Sequence, residues 1–125
     1  MVFSEYIGMQ NNTGAPGSRI DIEPHHMNPT GNVNGGVIIS LADNLATGTA
    51  GDEYFKKFGE RAFLVGIDLH AVMLANQHGG TITATSTPIR VGRRVTVIRT
   101  IVHGSEGKAL AEVTTTHVPT PSPNK

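Results

Sequence analysis

Residues 28–47 read NPTGNVNGGVIISLADNLAT and decide the fold, because a long apolar run in them carries a single carboxylate, Asp43. A helix over 36–50 presents Val37, Ile38, Ile39, Leu41, Ala42, Leu45 and Ala46, so it is apolar nearly all round and expected to be buried. At about 100° per residue, Ser40, Asp43, Asn44 and Thr47 share one arc, the polar stripe of this helix. An unpaired carboxylate inside a core costs several kcal/mol. A buried Asp with hydroxyl and amide neighbours one turn away therefore points to a site. The plainer alternative is that Asp43 caps or pairs locally, or is exposed at one end of the helix.

Just before the run stand Asn34, Gly35 and Gly36. Asn-Gly is a strong hairpin signal, yet HHMNPTGNV supplies no alternating strand on its N-terminal side. The favoured reading is a helix start, where glycines let other groups approach the backbone and unbonded N–H groups point at an acceptor. Such a terminus stabilises a carbonyl oxygen as it gains negative charge.

The rest of the chain sets the frame. Its 125 residues make one domain with a real core. Ten basic side chains balance ten acidic ones, so no overall field draws it to nucleic acid or an anionic membrane. There is no cysteine, which removes disulfides, thiolate nucleophiles and Cys-ligated zinc together. No basic segment followed by an apolar stretch opens the chain, and no apolar run approaches the length of a membrane span. The expected location is the cytoplasm.

Residues 1–10 suggest a loose helical turn, and NNTGAPGS over 11–18 is turn chemistry. Strands are expected over 19–23, 62–72, 81–89, 94–102 and 109–118, with a loop over 24–33 and a charged connection over 51–60. The short turns between the last three strands imply an antiparallel sheet. The tail 119–125, PTPSPNK, is expected not to pair and to be disordered. The domain boundaries are then 1–18 for an N-terminal extension, 19–118 for the folded domain and 119–125 for the tail. One apolar helix and about five antiparallel strands satisfy burial only if the sheet curls round the helix, an α+β arrangement. One face stays open, and a second copy is its natural cover.

The pattern Asn28, Asn34-Gly35-Gly36, Leu41-Ala42-Asp43 and Thr47 resembles that of the hotdog-fold acyl-CoA thioesterases, of the phenylacetate-degradation and 4-hydroxybenzoyl-CoA type. VGIDLHAVML resembles that family's long second strand, IRVGRRVTVIRTIV its Gly-Arg hairpin and GKALAEVTTTHV its last strand. The resemblance implies a hotdog fold and hydrolysis of an acyl-CoA thioester, with no cofactor beyond the coenzyme A of the substrate. It implies that Asp43 acts as general base on water or as nucleophile. The Gly35 N–H would polarise the thioester carbonyl, Asn28 would assist there, and Thr47 would help hold the water. Gly36 and Gly66 fall at substrate-lining positions. The family usually has His where Asn34 stands, and an amide donates a hydrogen bond but does not titrate. Some relatives carry Ser or Thr where this chain has Gly66.

Spacing adds a constraint of its own. Asp43 follows Gly35 by eight residues, roughly 12 Å along a straight helix, too far for both to serve one thioester in one chain. An antiparallel partner helix would bring them together, and the family places its sites between subunits, so a homodimer or tetramer is expected. Arg90, Arg93 and Arg94 in the RVGRR turn would meet the coenzyme A phosphates or simply face solvent. His25, His26, His70, His78, His103 and His117 show no metal-ligand spacing. The glycines are not a dinucleotide fingerprint, and no G-x-S-x-G elbow occurs. The competing readings are a non-catalytic acyl-CoA or acyl-carrier binding protein and a hotdog enoyl-CoA hydratase. The latter usually pairs a His with its Asp, and no His stands near Asp43 in sequence.

Overall fold

Asn34 starts the long helix. Its backbone is extended (φ −61°, ψ 128°), and its Oδ1 accepts the Gly36 N–H at 2.7 Å, satisfying one of the first-turn donors. Helix α2 then runs Gly35–Phe58 in the computed structural model, which describes residues 1–12 and 16–121. It stops at Gly59, whose φ of 70° is left-handed and whose N–H returns to the Phe55 carbonyl at 2.8 Å. Lys56 and Lys57 sit in the last turn, at the negative end of the helix.

The helix is longer than the expected 36–50, and the connection expected over 51–60 is mostly its last turns. Tyr54 explains the extension. It is buried on the stripe that carries Ala46 and Ala50, with the Phe58 ring 4.8 Å from its own. Burial of that ring offsets Gly51, which costs about 1 kcal/mol against Ala inside a helix.

A second correction concerns burial. Ile38, Leu41, Ala42, Ala46, Ala50 and Tyr54 are buried and form one side of α2. Val37, Ile39, Leu45 and Asp43 are only half-buried, so the carboxylate is not sealed in the core of the single chain.

Among the described residues the sheet has six strands rather than about five: β1 (Met9–Asn11), β2 (Ser18–Asp21), β3 (Phe63–Met73), β4 (Thr81–Val91), β5 (Thr96–His103) and β6 (Ala109–Thr120). They lie in the order β1-β2-β4-β5-β6-β3, every pairing antiparallel. A short helix α1 (Phe3–Tyr6) and a 3-10 turn (Pro24–His26) complete the described elements. Strand β1 lies within the expected extension and is too short to show alternation. Part of the expected turn over 11–18, residues 13–15, lies outside the described residues. The turn passes so close to β4 that a Cβ at Gly17 (φ 110°) would run into the Ala84 carbonyl oxygen.

Alternation on β5 and β6 turns Thr96, Ile98, Thr100 and Val102, with Ala111, Val113, Thr115 and His117, toward the helix. Two apolar clusters result. One joins Ile38, Leu41 and Ala42 to Ile20, Ile82, Val102, Leu110 and Val113; the other joins Ala46, Ala50 and Tyr54 to Leu64 and Ile98. On β5, Thr100 separates the two, and its Oγ1 lies 2.6 Å from Ser86 Oγ.

The tail also departs from expectation. Pro119 and Thr120 continue β6, opposite Leu64 and Phe63, and Thr120 Oγ1 donates to the Phe63 carbonyl at 3.0 Å. The β5 ladder ends at Thr96 opposite His117, so beyond that point β6 has a neighbour on one side only and proline is tolerated. Pro88 likewise lies where β4 has passed the end of β2. Residues 122–125 of the expected disordered tail lie outside the described residues.

His26 ties the N-terminal segment to the loop before α2. It is buried, its Nδ1 accepts the Glu23 N–H at 2.9 Å, and its Nε2 donates to the Ile7 carbonyl at 2.8 Å. The bond accepted by Nδ1 needs the neutral ring, whereas the one donated by Nε2 survives protonation. Burial first, then the neighbouring His25, hold its pKa below the ordinary 6.5. His117 is lowered too, again chiefly by burial. A lowered folded pKa means that the unfolded chain binds the proton more readily. This stability is therefore full above about pH 6.5 and is lost as pH falls below it. Thermal melts should show Tm falling from about pH 7 to about pH 5, with a smaller fall in His26→Gln. An equal fall in that variant would remove His26 from the account.

Candidate active site

Asp43 leaves the middle of α2 and shares a shallow cleft with Gly66, Ile67, Asp68 and Leu69 of β3. The register of β3 on β6 slips between Gly66 and Asp68, leaving Ile67 as the extra residue of a bulge, a device that bends a strand and re-aims its side chains. A Cβ at Gly66 would meet nothing nearer than His117 Nδ1 at 3.8 Å. Glycine here opens space in the cleft and is not demanded by the backbone.

Ser40, Asp43, Asn44 and Thr47 are all half-buried. Two of them spend donors on the helix: Asn44 Nδ2 on the Ser40 carbonyl at 2.7 Å, and Thr47 Oγ1 on the Asp43 carbonyl at 3.0 Å. Thr47 keeps its lone pairs one turn beyond the carboxylate.

At the start of α2 the N–H groups divide sharply. That of Gly36 goes to Asn34 Oδ1, and those of Val37 and Ile38 go to the Asn34 carbonyl. The Gly35 N–H has no partner among the described residues. Asn34 is thus a helix cap that leaves one donor open, and it occupies the position where the resemblance led one to look for a His. A Cβ at Gly36 would stand 2.9 Å from Asn34 Oδ1, so glycine allows the cap to close. Asn28 is committed at its carbonyl end: Oδ1 accepts from Thr30 N, Thr30 Oγ1 and Asn32 N at 3.0, 2.6 and 3.1 Å. Its amide nitrogen has no partner among the described residues.

The fold brings Asp43 and Gly66 together, with Thr47 one helical turn beyond Asp43. It keeps Gly35 apart from them, over the far end of β3, where a Cβ on Gly35 would lie 3.5 Å from Met73 Cε. The arginines lie elsewhere again. Arg93 pairs with Glu60 at 3.5 Å and covers the Phe58 ring at 4.5 Å, while Arg90 and Arg94 are exposed. That places them near the C-terminal end of α2, roughly 22 Å along the helix from Asp43. Among the described residues no three His, Asp or Glu side chains gather as a metal site, and no helix is long and apolar enough to cross a membrane.

One residue near Asp43 was not singled out from the sequence. His117 of β6 is fully buried, opposite Gly66 in the ladder, with Nε2 2.8 Å from Thr115 Oγ1 and no partner on Nδ1. The Asp43 charge opposes the burial that lowers its pKa. The period-two burial of GKALAEVTTTHV could have placed His117 on the helix side, but not beside Asp43. Thr96 Oγ1, opposite His117 on β5, is the other buried side-chain polar atom without a partner among the described residues.

A family model described as the thioesterase superfamily matches residues 30–111. The chain belongs to the thioesterase superfamily. Its sheet wrapped on one long helix is the hotdog fold. Over 87 residues this superfamily member is 31% identical to a Haemophilus influenzae protein named as a candidate esterase, covering 70% of this chain and 60% of the relative's length. Among solved structures it is similar to a Haemophilus influenzae thioesterase, at 21% identity and TM-score 0.81, over 94% of this chain and 81% of that one. A Mycobacterium tuberculosis protein, also named as a candidate esterase, matches at 18% identity and TM-score 0.86, over 96% and 97% of the two chains. A Bacillus halodurans protein crystallised with coenzyme A matches at 18% identity and TM-score 0.82, over 94% and 74%.

The cap yields a prediction separate from chemistry. Asn34→Ala should cost about 1 kcal/mol in urea unfolding, and Asn34→Asp, which can still accept the Gly36 N–H, should cost less. Equal losses would mean that the cap bond contributes nothing.

Proposed function

We propose that this thioesterase-superfamily chain hydrolyses an acyl-CoA thioester to free acid and coenzyme A. The observation that carries the reading is the unpartnered Gly35 N–H at the start of the helix that also bears Asp43 over an open cleft. The substrate class draws support from the relative crystallised with coenzyme A. The phenylacetate and 4-hydroxybenzoyl-CoA type draws support from the spacing of Asn28, Asn34-Gly35-Gly36, Asp43 and Thr47.

In this reading the thioester oxygen accepts from the Gly35 N–H, with Asn28 Nδ2 assisting, and gains negative charge as the bond to water forms. Asp43 takes the proton of that water, or attacks the carbonyl itself, and Thr47 helps to hold the water. The C–S bond then breaks, and the thiolate takes up the proton to leave as coenzyme A; where Asp43 is the nucleophile, water then cleaves the acyl–Asp43 anhydride, releasing the acid and supplying that proton. Arg90 and Arg94, with Arg93, are the groups offered to its phosphates. The hydratase alternative needs an imidazole that reaches the substrate, and His117 is fully buried.

Each site is assembled from two subunits. Strand β3 ends the sheet order, is eleven residues long and has no neighbour on its outer edge among the described residues. Leu69 and Met73 face the helix side, since their ladder partners Thr115 and Ala111 are buried, yet they stand 40% and 45% exposed. A long, apolar free edge is a template for another strand. Two β3 edges paired antiparallel about an axis near Leu69 and His70 would set Gly66 opposite the partner subunit's Met73. Because Met73 packs on Gly35, the partner subunit's Gly35 would then approach Asp43. This closes the gap of roughly 12 Å that a single chain leaves.

Thiol release from short, long and aromatic acyl-CoAs tests the reading. Asp43→Asn should lower turnover at least about a hundredfold while the protein stays folded. Substrate binding without release by the wild-type protein, or normal release by the variant, would overturn it.

Gly35→Pro removes the proposed oxyanion donor and adds a ring whose Cβ would make only ordinary contact with Met73 Cε, at 3.5 Å. Proline is welcome at the first helical position, and Asn34 already has the extended backbone that proline requires before it. Its kcat should fall by about a hundred- to a thousandfold. Co-refolding equal amounts of Gly35→Pro and Asp43→Asn should put one intact site in each mixed dimer and restore roughly a quarter of wild-type sites. Mixed dimers, seen by mass-tagging one chain, that gain no activity would refute the shared site.

A further inference from the structure

We propose that His26 is a positioning residue for the oxyanion donors: its buried ring ties the N-terminal segment to the loop before α2 and so holds Asn28 and Asn34, and with them the Gly35 N–H, in place. The inference rests on the reading of Gly35 and Asn28 as donors to the thioester carbonyl.

The ring itself is fully engaged. Nδ1 accepts the Glu23 N–H at 2.9 Å, Nε2 donates to the Ile7 carbonyl at 2.8 Å, and the His25 ring lies 4.0 Å away. Ile7 is buried in turn, so the acceptor at that end is anchored in the core.

The main chain of His26 is what the helix start leans on. Its carbonyl accepts the Asn34 N–H at 2.8 Å, and the next residue, Met27, pairs antiparallel with Val33. The Asn28 N–H goes to the Asn32 carbonyl at 2.8 Å, and the chain turns at Gly31 (φ 82°). The loop thus leaves His26, passes Asn28 and returns to Asn34 beside His26. Its returning limb has ties of its own, because the Val33 N–H bonds to the Gln77 carbonyl and the Val33 carbonyl to Asn76 Nδ2, each at 3.0 Å. The outgoing limb, which carries Asn28, is tied to the N-terminal segment by the His26 ring. An active-site group displaced by about 1 Å can cost a hundredfold in rate, so a tie of this kind has kinetic weight.

The deciding measurement is NMR of the intact protein, following hydrogen exchange at the Asn34 N–H and the amide shifts of Asn28 and Gly35. His26→Leu keeps a buried apolar side chain and loses both ring bonds. It should expose the Asn34 N–H to exchange and move the other two signals. His26→Gln should stay near wild type, since a Gln at this position of a turn accepts the same N–H as in a capping box and keeps an amide donor for Ile7. Asn34, Asn28 and Gly35 unchanged in His26→Leu would overturn the inference without reference to activity.

If His26→Leu does not fold, acid makes the same comparison in wild type, because protonation removes the Nδ1 acceptor. Glu23 and His25 act on the ring from its own turn, and His25 meets the Tyr6 ring. The N-terminal helix carries only the exposed Glu5 and reaches the ring through the Ile7 carbonyl, while the first turn of α2 has no charge. The Asn34 and Gly35 signals should move with the titration of the His26 ring, and this movement should be absent in His26→Gln. Signals indifferent to that titration overturn the proposal.

Kinetics give a second arm. His26→Leu should lower kcat about ten- to a hundredfold with KM little changed, and His26→Gln should recover most of that loss. In the Gly35→Pro background His26→Leu should have little further effect on kcat, because its action passes through that donor. A loss confined to KM, or equal in both backgrounds, overturns the proposal. Normal turnover by Gly35→Pro would instead defeat the reading of Gly35 as the donor, while the amide comparison would still decide whether His26 holds the helix start.

Discussion

The close seat of α2 on the sheet is the contact on which the rest depends. Ala42, Ala46 and Ala50 recur every fourth residue and are fully buried, so the helix axis can approach the strands closely. Large side chains fill the flanks: Ile38 and Leu41 at one end, Tyr54 at the other, against Ile82, Val102, Leu64 and Ile98. Burying each such side chain contributes about 1.5–3 kcal/mol, which holds a helix containing Gly48 and Gly51 in one rotation. That rotation decides which side of the helix meets β3, and so what Asp43 faces.

With the helix held in this way, the site is a matter of what is left open. The Asn34 cap occupies the Gly36 N–H and leaves that of Gly35. Gly66 contributes no side chain to the cleft beside Asp43. In the proposed reaction, stability and reactivity are divided between neighbouring atoms of the same few residues. Asn34 shows this best, because its carbonyl end holds the helix start and so determines which backbone donor is available.

The outer edge of β3 imposes the other constraint. A long edge strand with seven bulky apolar residues in eleven and a single carboxylate is a template for another strand. By contrast, the opposite edge of the sheet is the three-residue β1, too short to invite pairing. The asymmetry of the two edges is why the proposed assembly pairs through β3, beside Asp43 and Met73. In the proposed assembly the same apolar contact stabilises the protein and completes its site.

Local chemistry was enough to read the centre of the protein from its sequence. The apolar run, the Asn-Gly-Gly start and the lone Asp43 act through neighbours within one or two helical turns, so residue order alone determined the helix, the position of its open N-terminus and the spacing from Gly35 to Asp43. Alternation and short turns likewise determined the antiparallel strands β4, β5 and β6. Long-range packing decided the rest. Tyr54 carried the helix past Gly51, because a stripe begun by Ala46 and Ala50 found apolar partners on strands far along the chain. Pro119 could pair because β5 had already ended beside it. Asp43 proved half-buried because only one side of α2 meets the sheet. His117 came to stand opposite Gly66 through the β3–β6 register and the bulge at Ile67, which are set by pairing between strands and leave no local trace in residue order.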